Sequence, residues 1–252
     1  MSTTDQSHSG TKTLLLFVFA GLGLGIVSLA LLVLLGAGQI GNFPIFNSHN
    51  FSRDFACEGD TETAAFSGNE RRWDWSGGDS VDIELPVTVH YGGSNSKQIV
   101  ATGSHEALAH IQVRDGKIGS GCNNFHWGDV DITLPATRFK HIGIFGPGRV
   151  EMTAVDQPEL DISIVGPGTV EGRGKIANVG INIVGPGTLK LADLAMDSID
   201  VHIVGPGHLE AGPKNKAYIS IIGPGTLKLL SRPPELSTNI IGPANISFAK
   251  GS

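Results

Sequence analysis

The sequence has few of the residues and motifs that commonly indicate a function. Only two cysteines occur among 252 residues, and the net charge is −6 without any run of lysine or arginine. A chain without a basic run is not expected to bind nucleic acid or an anionic membrane surface. The motifs G-x-S-x-G, H-E-x-x-H and Walker A are absent, so no catalytic, metal-binding or cofactor-binding residue, and no cofactor, is predicted from a motif.

The two cysteines, Cys57 and Cys122, leave two interpretations open. Both follow the single long apolar run of the chain. In an oxidising compartment they would form a disulfide that fastens the region before the repeats, and we favour this interpretation. Two free, buried thiols are the alternative.

What the sequence does contain is a short and regular repeat of Gly-Pro-Gly. Successive copies are 18 to 20 residues apart, and the last copy has alanine in place of the second glycine. This period is too short for a helical hairpin, but it fits one turn of a β-solenoid, in which each turn buries its apolar face against its neighbours. The six copies begin at Gly146, Gly166, Gly185, Gly205, Gly223 and Gly242.

Apolar and polar residues alternate on both sides of each copy, and β-branched residues predominate. This pattern is typical of strands buried on one face. Proline marks a corner between two such strands, because it cannot donate to a strand ladder. Stacking the copies predicts two interior columns: Val150, Val170, Leu189, Leu209, Leu227 and Ile246 in one, and Ile144, Ile164, Ile183, Ile203, Ile221 and Ile240 in the other.

The same alignment predicts three outward columns. One mixes charges of both signs, one is a polar ladder, and one holds two aspartates. They contain Glu151, Glu171, Lys190, Glu210 and Lys228; Ser163, Asn182, His202, Ser220 and Asn239; and His141, Asp161, Gly180, Asp200, Tyr218 and Ser237. The apolar residue at every sixth position that marks a left-handed β-helix is not evident. We therefore predict an all-β fold, a right-handed parallel β-helix of coils of about 19 residues stacked about 4.8 Å apart.

An uncharged run from Leu14 to Leu35 precedes the β region and is long enough to cross a bilayer as one helix. A cleavable signal peptide is the alternative, but the run exceeds the apolar core of such peptides. We predict a cytoplasmic tail over 1–12, a transmembrane helix over 13–36 and a linker over 37–49. The β-solenoid then covers 50–250, with irregular first coils and a cap over 50–125 and regular Gly-Pro-Gly coils over 126–250.

Three segments precede the stacked glycine turns in a fixed order: Val87-Thr-Val-His-Tyr91, Ile111-Gln-Val-Arg-Asp-Gly116-Lys-Ile and Ile132-Thr-Leu-Pro135. This order resembles that of the GIN-domain family, a bacterial family described as an auto-transporter adhesin head domain. The likeness covers roughly Asn50 to Ala249. The resemblance implies a β-solenoid that faces outside the cytoplasm. The family usually has a small residue between the turn glycines, whereas this chain has proline, which forms an apolar ridge.

Three groups of residues were weighed as candidate sites. Asp161 and Asp200 lie two coils apart, about 10 Å at the stacking distance, which is within the range of paired carboxylates in glycosidases. His202 and His208 flank one corner, but a metal site needs a third ligand. Trp73, Trp75 and Trp127 would either stack on sugars or, as we favour, pack over the end of the solenoid core. None of these residues is assigned a catalytic or metal-binding role.

These observations predict a non-catalytic adhesive, scaffolding or ligand-binding module, held by one span in the inner (cytoplasmic) membrane of a bacterium, with its C-terminal domain in the periplasm or outside. A cell-envelope polysaccharide lyase or hydrolase on the same scaffold is the main alternative, and an anchored sensor is the third. The candidate partners are the membrane, a glycan or envelope protein, and a second copy bound through the C-terminal edge. The sequence does not identify the ligand.

Overall fold

The computed structural model describes residues 65–120 and 126–249. The predicted membrane span, Leu14 to Leu35, and both cysteines lie outside the described residues. Within the described part of the chain, no helix is long and apolar enough to cross a membrane. The only helix described there is α1 (His105–His110), and the remaining elements are strands.

One sheet contains all the described strands. The region before the repeats holds eight strands: β1 (Ala65–Ser67), β2 (Glu70–Asp74), β3 (Ser80–Ile83), β4 (Val87–Tyr91), β5 (Gln98–Thr102), β6 (Gln112–Arg114), β7 (Lys117–Gly119) and β8 (Asp131–Thr133). The repeats form the other eight: β9 (His141–Phe145), β10 (Gly148–Val165), β11 (Gly168–Val184), β12 (Gly187–Val204), β13 (Gly207–Ile222), β14 (Gly225–Leu229), β15 (Glu235–Ile241) and β16 (Ala244–Phe248).

The repeats form the predicted β-solenoid. Strands β9 to β16 pair in parallel, and Val150, Val170 and Leu189 lie directly above one another in the register. Both predicted interior columns are confirmed along their whole length by the pairing. Their members are almost fully buried up to Ile221 and Leu227, whereas Ile240 and Ile246 in the last coil are partly exposed. Each of the long strands β10 to β12 contains a register shift, and the chain bends there between two faces of the coil.

The first glycine of each corner is required by its backbone. At Gly223, φ is 138°, a conformation that side-chain-bearing residues rarely adopt. A Cβ atom at that position would lie 2.6 Å from the carbonyl oxygen of Gly205 in the coil below. The corners therefore stack backbone on backbone, which only glycine permits.

The second glycine of the corner can be replaced by a larger residue more easily than the first, and the space for a Cβ atom at this position increases along the chain. A Cβ atom would lie 2.6 Å from the Ile144 side chain at Gly148, but 3.4 Å from the Ile221 side chain at Gly225. In the next coil the position is occupied by Ala244. The change from Gly-Pro-Gly to Gly-Pro-Ala thus follows from the growing space at this point of the corner.

The coil formed by β3 and β4 lacks the motif. Strands β3 and β4 pair in parallel with β9 and β10, so that Ile83 lies over Ile144 and Val87 over Gly148. This register places Pro86 over Pro147, where the Gly-Pro-Gly coils have the corner proline. On their other side, β3 and β4 pair with β7 and β8. The order of coils in space is therefore not their order in the chain, since β7 and β8 follow β4 in sequence but lie outside it.

The end of the solenoid near β1 is closed by strands of the opposite direction and by α1. β5 pairs antiparallel with β8 and β2, and β6 pairs antiparallel with β7. Leu108 of α1 is fully buried in the core. The guanidinium of Arg71, also fully buried, donates to the carbonyl oxygens of Leu108, at 2.8 Å, and Ile111, at 3.0 Å. Arg71 thereby fixes the C-terminus of α1 over the core.

Candidate functional site

A groove runs along the corners of the last four described coils. It has a volume of about 560 Å³ and runs across the coils rather than along a strand. Each coil contributes the corner proline and the two residues that follow it. The lining residues are Pro186, Gly187, Thr188, Pro206, Gly207, His208, Pro224, Gly225, Thr226, Pro243, Ala244 and Asn245. We call this surface the proline groove.

The polar residues of the proline groove form one column. Thr188 pairs in register with His208, His208 with Thr226, and Thr226 with Asn245. Each can donate and accept hydrogen bonds, and they recur at the spacing of the coils, about 4.8 Å. The groove therefore offers a repeated polar column beside a repeated apolar one.

An exposed apolar column directly precedes the corners. Its members are each between 37% and 50% exposed, although they are β-branched aliphatic side chains: Val184, Val204, Ile222 and Ile241. The pairing register places them one above another. Contiguous exposed apolar surface of this kind is typical of interaction sites. The alternation alone does not predict this column. Its signal in the sequence is the pair of consecutive apolar residues before each glycine, which breaks the alternation.

The predicted charged column lies on the other side of the groove, and its members form cross-strand ion pairs. Nζ of Lys190 lies 2.9 Å from Oε1 of Glu171, and Nη1 of Arg149 lies 2.7 Å from the same oxygen. The hydrogen bond from Lys190, assisted by Arg149, holds the pKa of the Glu171 carboxyl below its usual value. Lys228 and Glu210 pair at 2.7 Å. This column is a solvated, self-neutralised face.

Asp161 and Asp200 lie in one outward column with Gly180 between them, as the alignment predicts. Burial raises the pKa of the Asp161 carboxyl, and the charges of Glu159 and Asp200 raise it further, against the opposing effect of His141. Oδ1 of Asp200 lies 2.9 Å from Nε2 of His202. Neither aspartate lines the proline groove.

The two histidines weighed as metal ligands belong to different surfaces. His202 contacts Asp200 and lies 5.5 Å, centroid to centroid, from the ring of Tyr218. His208 lines the proline groove. In the described ranges 65–120 and 126–249, no three His, Cys, Asp or Glu side chains are placed to hold a metal ion.

The tryptophans pack on the core at the closed end. Trp73 is only 4% exposed, and its ring lies 4.8 Å from the Arg71 guanidinium carbon. Trp75 contacts the ring of Phe139 edge-on at 5.5 Å, and Trp127 is partly buried against the same core. Trp75 also borders a smaller polar depression of about 270 Å³. The burial agrees with the packing interpretation of these three residues.

Three solved structures match this chain at 13–15% identity. A putative adhesin from Bacteroides fragilis matches with a TM-score of 0.56 and 15% identity, over 71% of this chain and 96% of its own. A putative lipid binding protein from Parabacteroides distasonis matches with a TM-score of 0.42 and 15% identity, over 77% of this chain and 99% of its own. A putative adhesin from Parabacteroides merdae matches with a TM-score of 0.38 and 13% identity, over 77% and 98%.

No curated protein matches the sequence. The similarity to the Bacteroides fragilis protein shows a shared fold. The family model described as "Putative auto-transporter adhesin, head GIN domain" matches residues 122–233, which contain five of the six glycine corners. The resemblance found in the sequence is thereby confirmed, because residues 122–233 match the model of the GIN-domain family.

Proposed function

We propose that this protein is a non-catalytic binding module of the bacterial cell surface or envelope, and that the proline groove holds a linear, repetitive ligand, a glycan strand such as that of peptidoglycan. The observation that carries the proposal is the groove itself. It crosses four coils and presents one proline and one polar side chain per coil. Because the groove repeats its side chains along the solenoid axis, it suits a ligand whose chemical units also repeat along one line.

The apolar and polar parts of the site have separate roles in this proposal. Thr188, His208, Thr226 and Asn245 would hydrogen-bond the hydroxyl and amide groups of successive sugars, and the prolines would contact the less polar faces of the rings. The adjacent apolar column of Val184, Val204, Ile222 and Ile241 would extend the contact. Many weak and equal contacts of this kind give adhesion through avidity rather than through one tight pocket.

The proposed location rests on the sequence before the described residues. The uncharged run from Leu14 to Leu35 is long enough for one membrane span. With Lys12 before it and no cation after it until Arg53, the positive-inside rule places the chain's N-terminus in the cytoplasm and the solenoid in the periplasm or outside. A location outside the cytoplasm suits an adhesive module. The right-handed sense of the solenoid also remains a prediction.

A polysaccharide-cleaving enzyme is the second candidate, favoured by the raised pKa of Asp161 beside Asp200. An acid with a raised pKa opposite an ionised carboxylate is the arrangement of glycosidases. Two observations count against it here. Asp200 already contacts His202, and the proline groove does not include either aspartate.

The test is a binding and turnover assay of the purified full chain in detergent on a glycan array and on peptidoglycan sacculi. We expect bound protein and no released product. Exchanging His208 and Thr226 together for alanine should weaken binding at least about tenfold. Asn215→Ala, an exposed change on the same strand β13 but outside the groove, should leave binding unchanged. Released product, abolished by Asp161→Asn, would instead establish the enzyme.

A further inference from the structure

The last described coil of the solenoid has an open edge. β15 pairs only with β13 and β16 only with β14, among the described strands. The outer side of both strands therefore carries backbone groups without a strand partner. An unpaired strand edge is a template for pairing with another chain.

The core also ends open at this coil. Ala217 and Leu227 in the coil before are at most 1% exposed, whereas Leu236 and Ile246, which continue the same interior columns, are 40% and 39% exposed. Ile240 and Phe248 pack only partly against the core. Apolar side chains of the interior therefore form the end face of the solenoid, and covering them would be favourable by the hydrophobic effect.

The backbone direction shows which groups are free to pair. The carbonyl oxygen of Ile241 accepts from the N–H of Gly223 in the preceding coil. In parallel strands successive residues direct their N–H and C=O groups to opposite sides. Ile240 and Thr238 therefore direct these groups to the open edge.

The open edge also lacks the charges that normally prevent pairing. No charged residue occurs over 236–248, whereas the same outward columns carry Asp200, Lys190 and Lys228 in earlier coils. The only charged residue of the two strands, Glu235, is paired with Lys216 at 3.3 Å. Lysine and proline within edge strands are the usual protection against association, and neither occurs inside β15 or β16.

The opposite end of the stack does not expose the core in the same way. The core at that end is covered by α1 and by the antiparallel strands β2 and β5, and Leu108 and Ile99 are fully buried there. Of these two ends of the described solenoid, the β15–β16 edge is therefore the one where a second copy can complete the core. If both copies use this one edge, the contact is isologous and closes after two chains.

We propose that two copies of this chain pair head to head through β15 and β16, with the strands of the two copies antiparallel, to form a closed dimer with a continuous core. The dimer would double the length of the proline groove, since Pro243 and Asn245 of the last coil lie at the junction. The proposal does not depend on the ligand of the groove.

The test is the mass of the purified full chain in detergent, measured by light scattering over a hundredfold range of concentration. We expect twice the mass of one chain and no larger species. Thr238→Lys places a charge at the exposed end of a core column and should reduce the mass to one chain. Asn182→Lys adds the same charge to the outward ladder of a middle coil and should leave the dimer intact.

Three results would overturn the proposal. They are a wild-type chain that remains a monomer, a dimer that survives Thr238→Lys, and a series of masses that grows with concentration. The circular dichroism and melting temperature of Thr238→Lys are compared with those of the wild type, which separates loss of the dimer from unfolding. Hydrogen exchange of the unaltered chain gives an independent measurement, in which the amides of Ile240 and Thr238 should lose protection on dilution.

Discussion

The carboxylate of Asp161 lies over the backbone of Gly180, in the coil above it. Oδ1 of Asp161 is only 1.9 Å from the place that a Cβ atom of residue 180 would occupy. Because residue 180 has no side chain, the Asp161 carboxylate can occupy this space on the side of Asp200. Burial raises the pKa of Asp161, and the charge of Asp200 raises it further. This relationship joins three coils and makes the titration of Asp161 dependent on a glycine that is 19 residues away.

The first prediction concerns Asp161→Asn. Because the folded protein raises the pKa of this carboxyl, the folded state prefers the protonated form. The protonated Asp161 carboxyl therefore makes its full contribution to stability below the ordinary pKa, about 3.9. This contribution is lost as the pH rises through the raised pKa of the folded state. Asp161→Asn should therefore have a higher melting temperature than the wild type at pH 7 and the same one at pH 3. An equal difference at both pH values would contradict this explanation.

Gly180→Ala is the second prediction. The added Cβ should displace the Asp161 carboxylate toward solvent, since the contact is with the free end of a side chain rather than with backbone. The pKa of Asp161 should then fall toward its ordinary value, as measured by carbon NMR of the carboxyl group. Gly212→Ala is the control. Its Cβ would meet only the Leu230 side chain, at 3.4 Å, so it should leave the titration of Asp161 in place.

The third prediction compares two glycines of one corner. Gly223→Ala should destabilise the fold by at least about 2 kcal/mol, because φ is 138° and the Cβ would lie 2.6 Å from the oxygen of Gly205. Gly225→Ala should be neutral or stabilise by about 0.5 kcal/mol, because its φ is ordinary and its closest contact is 3.4 Å. Denaturant unfolding of the two variants measures the difference, and equal losses would refute the proposed stacking of the corners.

The fourth prediction concerns the buried arginine. Arg71→Met should destabilise the closed end by about 2–4 kcal/mol, because carbonyls at the C-terminus of α1 lose their charged donor. In Arg71→Met, the amide hydrogen-exchange rates over 105–110 should increase more than those of the Gly-Pro-Gly coils. Arg71→Lys keeps the charge but has fewer donors, and it should recover only part of the loss. Uniform destabilisation of all coils by Arg71→Met would contradict a local role.

The repeats could be predicted from the sequence because each coil repeats the same local chemistry. The period of the glycines fixes the register, so the columns through Val150 and Ile164 follow directly from an alignment of the copies. The coil formed by β3 and β4 could not be found in this way, since Pro86 stands without flanking glycines. Its place between β7 and β9 depends on contacts distant in sequence. The role of Arg71 was also missed, because a charged residue in a short strand is normally expected at the surface.

For the candidate site, the recurring proline of each corner predicts an apolar ridge, and the alternation before each corner predicts the polar ladder. Neither pattern predicts the column of Thr188, His208, Thr226 and Asn245 that completes the groove. The exposure of Val184 and Val204 does not follow from the sequence, because a valine directly after an isoleucine is expected to belong to a buried apolar segment. Only the position of the corner shows that they point outward. The proline groove itself requires the corners of several coils to be in register, which is a property of the stack and not of one copy.

The last prediction concerns the ion pairs beside the groove. Glu171→Gln should lower the free energy of unfolding by about 0.5–1 kcal/mol at pH 7, since it removes contacts with Lys190 and Arg149 that are largely solvated. The pKa of Glu171 is lowered in the folded state, so this stabilisation is present above the ordinary pKa, about 4.3, and is lost as the pH falls. The effect should also shrink in 1 M salt.

A double-mutant cycle with Lys190→Met isolates the Glu171–Lys190 pair, and Lys228→Met, which breaks only the contact with Glu210, is the matched control. Coupling between Glu171 and Lys228 as large as that between Glu171 and Lys190 would show that the column acts as one network and not as separate pairs.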